Sequence, residues 1–346
     1  MTQLEDKLLF LCARTAFSES HRQQVYDLCL GQTVDWDKVY STAHQHGIAP
    51  LVFTNLQQCN PAELGLPQEI INQFRLSFTR NISTKAYIAE KLSELLAFFE
   101  QRSLEVMVIK GSALDIVVYN RPWYTFSNDV DLIVKVQPAQ ISAQNDQEIK
   151  TFLNGFPGFE YEYFEHHDVS INGVLPINFS QIWADATKTT FREHPVWVMS
   201  PEDMLISACI NSCRKRFFRL KALCDIAEII VKFQETLNWT LLLQKAKAYD
   251  CSNIVYTALL VTQITVGCEL PTDLLDQLKV GPLRATLIHF LSQRMSLSAF
   301  DSLFSAKNFR DKKIDWSLLL SYATFRNYQI WQNINVALPF IEPWSA

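Results

Sequence analysis

The sequence predicts an α+β fold in which a small mixed-sheet core is flanked by N- and C-terminal helical regions. Three observations predict it. Two short apolar runs of strand length, Val106–Ile109 and Val130–Val136, bracket a Lys110-Gly111-Ser112 turn and a helix-like segment. Segments with helical spacing and cap signals lie before and after this unit. A chain of 346 residues with 23 Phe is long and apolar enough to bury a large core in two or three packed units. The expected division is a helical region over 1–98, an α/β core over 99–200 and a helical domain over 201–346.

Within the first region, helices are expected over Glu5–Phe17, Gln23–Cys29, Trp36–His46 and the long Gln68–Glu100 stretch, with Asp35 as an N-cap and Gly47 closing the third. In the core, Ser142–Asn154 reads as a helix. Tyr161–Ile171 and Val174–Ile182 read as the strands of a hairpin turning at Asn172-Gly173, with Pro176 marking an edge or a bulge. Ser200-Pro201-Glu202-Asp203 supplies an N-cap, a proline at the first helical position and early acidic residues. Helices are expected after it, one of them over Asn211–Ile230, then Trp239–Tyr249, Ile254–Cys268, Thr272–Leu278, Leu283–Met295 and Trp316–Ile334.

A net charge of −5 with no long basic run gives no bulk attraction for nucleic acid, which is not an expected partner. The start of the chain carries Glu5 and Asp6 and no basic lead into its apolar stretch, so it does not read as a signal peptide. Ile254–Val266 is too short and too polar to span a bilayer, so no membrane partner is expected and the cytoplasm is the expected location. Eight cysteines without a C-x-x-C pair read as buried thiols, not as a zinc site or disulfides.

Chemistry concentrates between Met107 and Val134. Asp129 and Asp131 open the second apolar run, and residues i and i+2 of a strand share a face about 6.5–7 Å apart. Two hard carboxylates on one face suit a divalent cation, magnesium or manganese. Gly111 at a strand-to-helix turn permits close backbone approach, and the amides of a helix start favour phosphate. Ser112 can donate to a phosphate oxygen or cap the helix, and Lys110 can add positive charge or lie in solvent. Downstream, Ser212, Lys215, Arg216 and Arg219 share one face if Asn211–Ile230 is one helix, and that face could meet a triphosphate or be simply solvated.

Lys110-Gly111-Ser112-Ala113-Leu114, Tyr119 and Asp129-Val130-Asp131-Leu132-Ile133-Val134 together resemble the uncharacterised bacterial nucleotidyltransferase family, of the polymerase-beta-like nucleotidyltransferase superfamily. Tyr40–Phe53 is similar to the family's helical lead-in, and Pro201–Ile230 to the helix after its core. The resemblance implies a nucleotidyltransferase-like core that moves NMP from an NTP, ATP first among them, to a hydroxyl on a small molecule, peptide or protein. It implies that Asp129 and Asp131 bind metal and take part in catalysis, and that Gly111 and Ser112, with Lys110, Lys215 and Arg219, hold the nucleotide.

Two positions depart from the family pattern. Thr125 lies near the place of its usual Arg, and Asn178 stands where a third carboxylate is expected. An amide oxygen can ligate a metal but cannot act as a base. In the expected hairpin, His167 faces Asn178 and Glu165 faces Ser180, which offers either as a substitute base or metal ligand, or makes them a plain exposed polar face. Two alternatives stand beside the enzyme: a catalytically degenerate nucleotidyltransferase-like binding or accessory protein, and another phosphoryl or group transfer at the same site.

Overall fold

The computed structural model describes residues 4–127, 129–135, 143–155, 158–163, 175–217, 219–293, 297 and 324. Five helices come first: α1 (Leu4–Cys12), α2 (Glu19–Cys29), α3 (Trp36–Gln45), α4 (Ala49–Leu56) and α5 (Gln68–Glu100). Asp35 caps α3 by accepting the Lys38 amide at 3.0 Å, and Gly47 follows its end with φ of 74°. That left-handed conformation carries little steric cost at glycine. Tyr40, Phe53 and Phe74 join α3, α4 and α5, with Phe74 edge-on to Tyr40 at 5.0 Å and stacked on Phe53 at 5.8 Å.

The core follows as β1 (Glu105–Ile109), α6 (Lys110–Val117), a 3-10 turn (Pro122–Tyr124), β2 (Val130–Lys135), α7 (Ala143–Leu153), β3 (Phe159–Tyr163), α8 (Phe179–Ala184), β4 (Thr187–Phe191) and β5 (His194–Val198). The five strands form one mixed sheet in the order β3-β2-β1-β5-β4. β1 pairs antiparallel with β2 and parallel with β5, and β2 pairs parallel with β3. Val106–Ile109 and Val130–Val134 are buried on both faces, which is why they read as apolar runs, interrupted in the second only by Asp131. α5 lies against β1 and β5 and buries Leu92, Leu95, Leu96 and Phe99. The fold is α+β, as the sequence predicts.

The C-terminal helices are α9 (Pro201–Arg214), α10 (Leu220–Lys232), α11 (Trp239–Ala248), α12 (Ser252–Thr265), α13 (Leu274–Gln277) and α14 (Pro282–Ser292). Ser200 caps α9 through the Asp203 amide, with Pro201 at the first helical position. Among the described residues no helix is long and apolar enough to cross a membrane.

Two sequence expectations are corrected. Asn211–Ile230 is not one helix: α9 ends at Arg214, and Arg216 and Phe217 take φ of 57° and 56° before α10 begins. The new helix start is paid for by His46, whose Nδ1 accepts the Leu220 amide at 3.1 Å and whose carbonyl accepts the Lys221 amide at 3.3 Å. The expected strand Val174–Ile182 is also replaced, because Phe179–Ala184 is helical. The expected turn at Asn172-Gly173, most of the strand before it, Glu165, His167 and all of Trp316–Ile334 except Thr324 lie outside the described residues.

Candidate nucleotide and metal site

The Lys110-Gly111-Ser112 turn grips the start of β2 through three consecutive residues. The Lys110 ammonium pairs with Asp131 Oδ1. The Ser112 hydroxyl donates to the carbonyl of Asp129 at 3.0 Å. A Cβ on Gly111 would lie 2.6 Å from Ser127 Oγ, so this close approach admits only glycine without a shift. The strand–turn–helix junction is therefore fixed relative to both aspartates. Ser112, expected to face phosphate, spends its hydroxyl on the backbone here. Among the described residues no side chain caps the start of α6, so its first amides have no partner from that source.

Asp131 is buried and Asp129 exposed. In register, Asp131 sits beside Ile109 of β1 and Glu160 of β3, so Glu160 shares its face of the sheet. Among the described residues, no three of His, Cys, Asp and Glu lie close enough together to hold a metal by themselves. Two hard carboxylates still fit a magnesium-like ion, which commonly takes one or two protein carboxylates and completes its shell with phosphate oxygens and water.

The loop before Asp129 is pinned from outside the core. Asn81 of α5 is buried and donates to the carbonyls of Trp123 at 2.6 Å and Thr125 at 3.3 Å. The Phe126 amide donates to the carbonyl of Gly47 at 3.0 Å. Thr125, near the place of the family's usual Arg, is buried. Asn178 is exposed and serves as the N-cap of α8, its side-chain oxygen accepting the Gln181 amide at 3.1 Å.

Beneath the turn lies a charged layer built from residues distant in sequence. Tyr119 of α6 donates to Asp225 Oδ1 at 2.7 Å, and Lys221 donates to Asp225 Oδ2 at 2.7 Å. Lys85 of α5 pairs with Asp115 of α6. Burial raises Asp115 to about 6 against the opposing pull of Lys85. Burial, with Asp225 next, holds the Tyr119 phenol protonated far above its usual range. A small cleft opens onto this layer, lined by Lys110, Gly111, Leu114, Asn211, Ala222 and Asp225.

The break between α9 and α10 does not disperse the basic residues. Lys215 is the C-cap of α9 and Arg219 the N-cap of α10, and both feel the charges of Asp225 and Asp129. Lys215 keeps an exposed surface, yet desolvation of its ammonium, then Arg219 and Lys221, lower its pKa to about 8. Burial also lowers Arg219, although a guanidinium stays charged. Among the described residues, Arg219 Nε and Ser212 Oγ are buried without a hydrogen-bond partner. Beside them, burial and Arg219 lower His46 to about 4, so it is neutral and accepts the Leu220 amide.

The chain matches the family described as "Uncharacterised nucleotidyltransferase" over residues 32–142 and 164–267. It therefore belongs to that family. No curated protein matches the chain. One solved structure, an antigenic nucleotidyltransferase-like protein from Paracoccidioides brasiliensis, is similar at 17% identity over 49% of this chain and 91% of that one, with a TM-score of 0.33.

Proposed function

We propose that this chain, as a member of that family, is a metal-dependent nucleotidyltransferase that moves NMP from an NTP, ATP first among candidates, to a hydroxyl of a small molecule, peptide or protein. The observation that carries this reading is the turn that fastens to both Asp129 and Asp131, with Lys215 and Arg219 within electrostatic reach of Asp129. Asp129 and Asp131 would hold Mg2+ or Mn2+, and charge neutralisation at the triphosphate would come from that ion. The first amides of α6, which no described side chain caps, would receive phosphate oxygens, Gly111 would let them approach, and Lys215 and Arg219 would take the outer phosphates. Catalysis would rest on positioning and charge. Glu160, beside Asp131 in register, is the described carboxylate that supports a role in receiving the acceptor's proton.

A thermal-shift panel of ATP, GTP, CTP and UTP, with and without Mg2+ or Mn2+, tests the reading. A nucleotide at a hundred times its Kd should add about 2.7 kcal/mol to stability. One nucleotide is expected to do so only with metal, and the shift is expected to vanish in Asp129→Ala. No shift with any nucleotide would remove the enzyme reading. A second reading, nucleotide binding without turnover, is favoured by Asn178, whose side chain is engaged in capping α8. It predicts the same shift but no pyrophosphate release with any hydroxyl acceptor.

The basic pair gives a pH signature. Lys215 falls from the ordinary 10.5 to about 8 in the folded protein, so the folded state releases its proton first. Between those values stability of the free protein should rise with pH, because the unfolded chain binds more protons there. Nucleotide affinity should move the other way and weaken above about pH 8 as the ammonium is lost. Equilibrium titrations from pH 6.5 to 9.5 check this, and Lys215→Arg should flatten the decline.

A further inference from the structure

We propose that Lys110 is a built-in counter-cation for Asp131 that a divalent metal ion displaces, so that metal entry and release of the lysine toward the triphosphate are one event. This rests on the proposed metal and nucleotide site. Asp131 is held in a strand paired on both sides, and its carboxylate is nearly enclosed, with 11% of the side chain exposed. It shares its face of the sheet with Glu160 and lies two residues from Asp129, so negative charge accumulates there. A carboxylate so placed needs a counter-charge. Lys110 supplies it through an ion pair with Oδ1, reaching in with a side chain that stays 40% exposed.

The backbone leaves the side chain free to act apart from the turn. Lys110 adopts φ of 54°, a left-handed conformation uncommon for a non-glycine residue, at the point where β1 gives way to α6. The next two residues anchor the turn independently, Gly111 against Ser127 and Ser112 on the Asp129 carbonyl. The lysine side chain can therefore swing away while the turn stays in place. Carboxylate oxygens prefer a hard divalent ion to an ammonium, so a metal can take over Asp131. The freed ammonium would then stand at the start of α6, where the proposed triphosphate lies, and lysine binds phosphate as a mobile point charge.

Mn2+ binding to the full-length protein without nucleotide, read as loss of the free-ion EPR signal, tests the exchange. Lys110→Met is expected to bind Mn2+ at least tenfold more tightly than the wild type, and Asp131→Asn to lose that binding. With saturating Mn2+, Lys110→Met is expected to bind ATP more weakly. An unchanged or weaker Mn2+ affinity in Lys110→Met would overturn the proposal. Lys110→Arg keeps the counter-charge if the methionine variant fails to fold; its Mn2+ affinity should match or fall below that of the wild type, and a tighter value would overturn the proposal. Metal-dependent ATP binding with no effect of Lys110→Met on Mn2+ would sink the exchange and leave the proposed function standing. The expected Mn2+ ranking with no nucleotide binding in any variant would do the reverse.

Discussion

Lys85→Met is expected to destabilise the protein by about 3–5 kcal/mol, the range for breaking a buried ion pair by removing one partner. Lys85 extends from α5 with 4% of its side chain exposed and meets Asp115 of α6, at 16%. The charge of Lys85 also interacts with Lys221 and Asp225 of α10, so the pair belongs to a layer that joins three helices under the site. Even with its partner, Asp115 is raised to about 6 by burial, and without it the pKa must climb further. The folded state then holds a proton that the unfolded state releases near 3.8, so stability falls as pH rises from there through the folded pKa. The loss should accordingly be larger at pH 7 than at pH 5. Urea melts at the two pH values measure it. Lys85→Met with Asp115→Leu should recover most of the loss, since replacing both members leaves no buried charge. A single variant within about 1 kcal/mol of the wild type would mean that the layer is wetter than its burial implies.

How legible such features are depends on the distance to their partners. β1 and β2 could be read because strands buried on both faces are mostly apolar, and Asp35 and Ser200 because an N-cap acts on an amide three residues away. The strand-to-helix turn and the place of Asp131 in β2 could be read from spacing, whereas Asp129 precedes the strand and is exposed. The role of Lys85 could not, since its partner is 30 residues further on, and Asn81 holds carbonyls 42 and 44 residues away. The break before α10 has no glycine or proline to announce it, and the tertiary contact with His46 overrides a sequence that suits a continuous helix. α8 did leave a trace: Asn178 followed three residues later by Gln181 has the spacing of a helix start, and the apolar residues around it argued for a strand instead. The hairpin of β4 and β5 escaped notice because it turns at Arg192-Glu193 without glycine or asparagine, with Arg192 at φ of 54°.

Gly111→Ala is expected to lower nucleotide affinity at least tenfold and stability by about 1–3 kcal/mol, the usual cost of overpacking. The added methyl group would meet Ser127 Oγ at 2.6 Å and Ser127 Cβ at 3.3 Å. Rotating the hydroxyl relieves only the first contact. Ser127 is buried on a loop held by Asn81 at Thr125 and by Gly47 at Phe126, and it leads into Asp129, whose carbonyl takes the Ser112 hydroxyl. The turn must therefore move, carrying the α6 amides and the Lys110 backbone away from the aspartates. The remaining contact asks for a shift of a few tenths of an ångström, and where geometry sets the rate turnover should suffer more than stability. Adding Ser127→Gly removes both contacting atoms and should restore affinity toward the wild type if the clash is the cause. If the double variant binds nucleotide as poorly as Gly111→Ala, the methyl group acts against the ligand itself, and the place of Gly111 beside the phosphates is then the stronger conclusion.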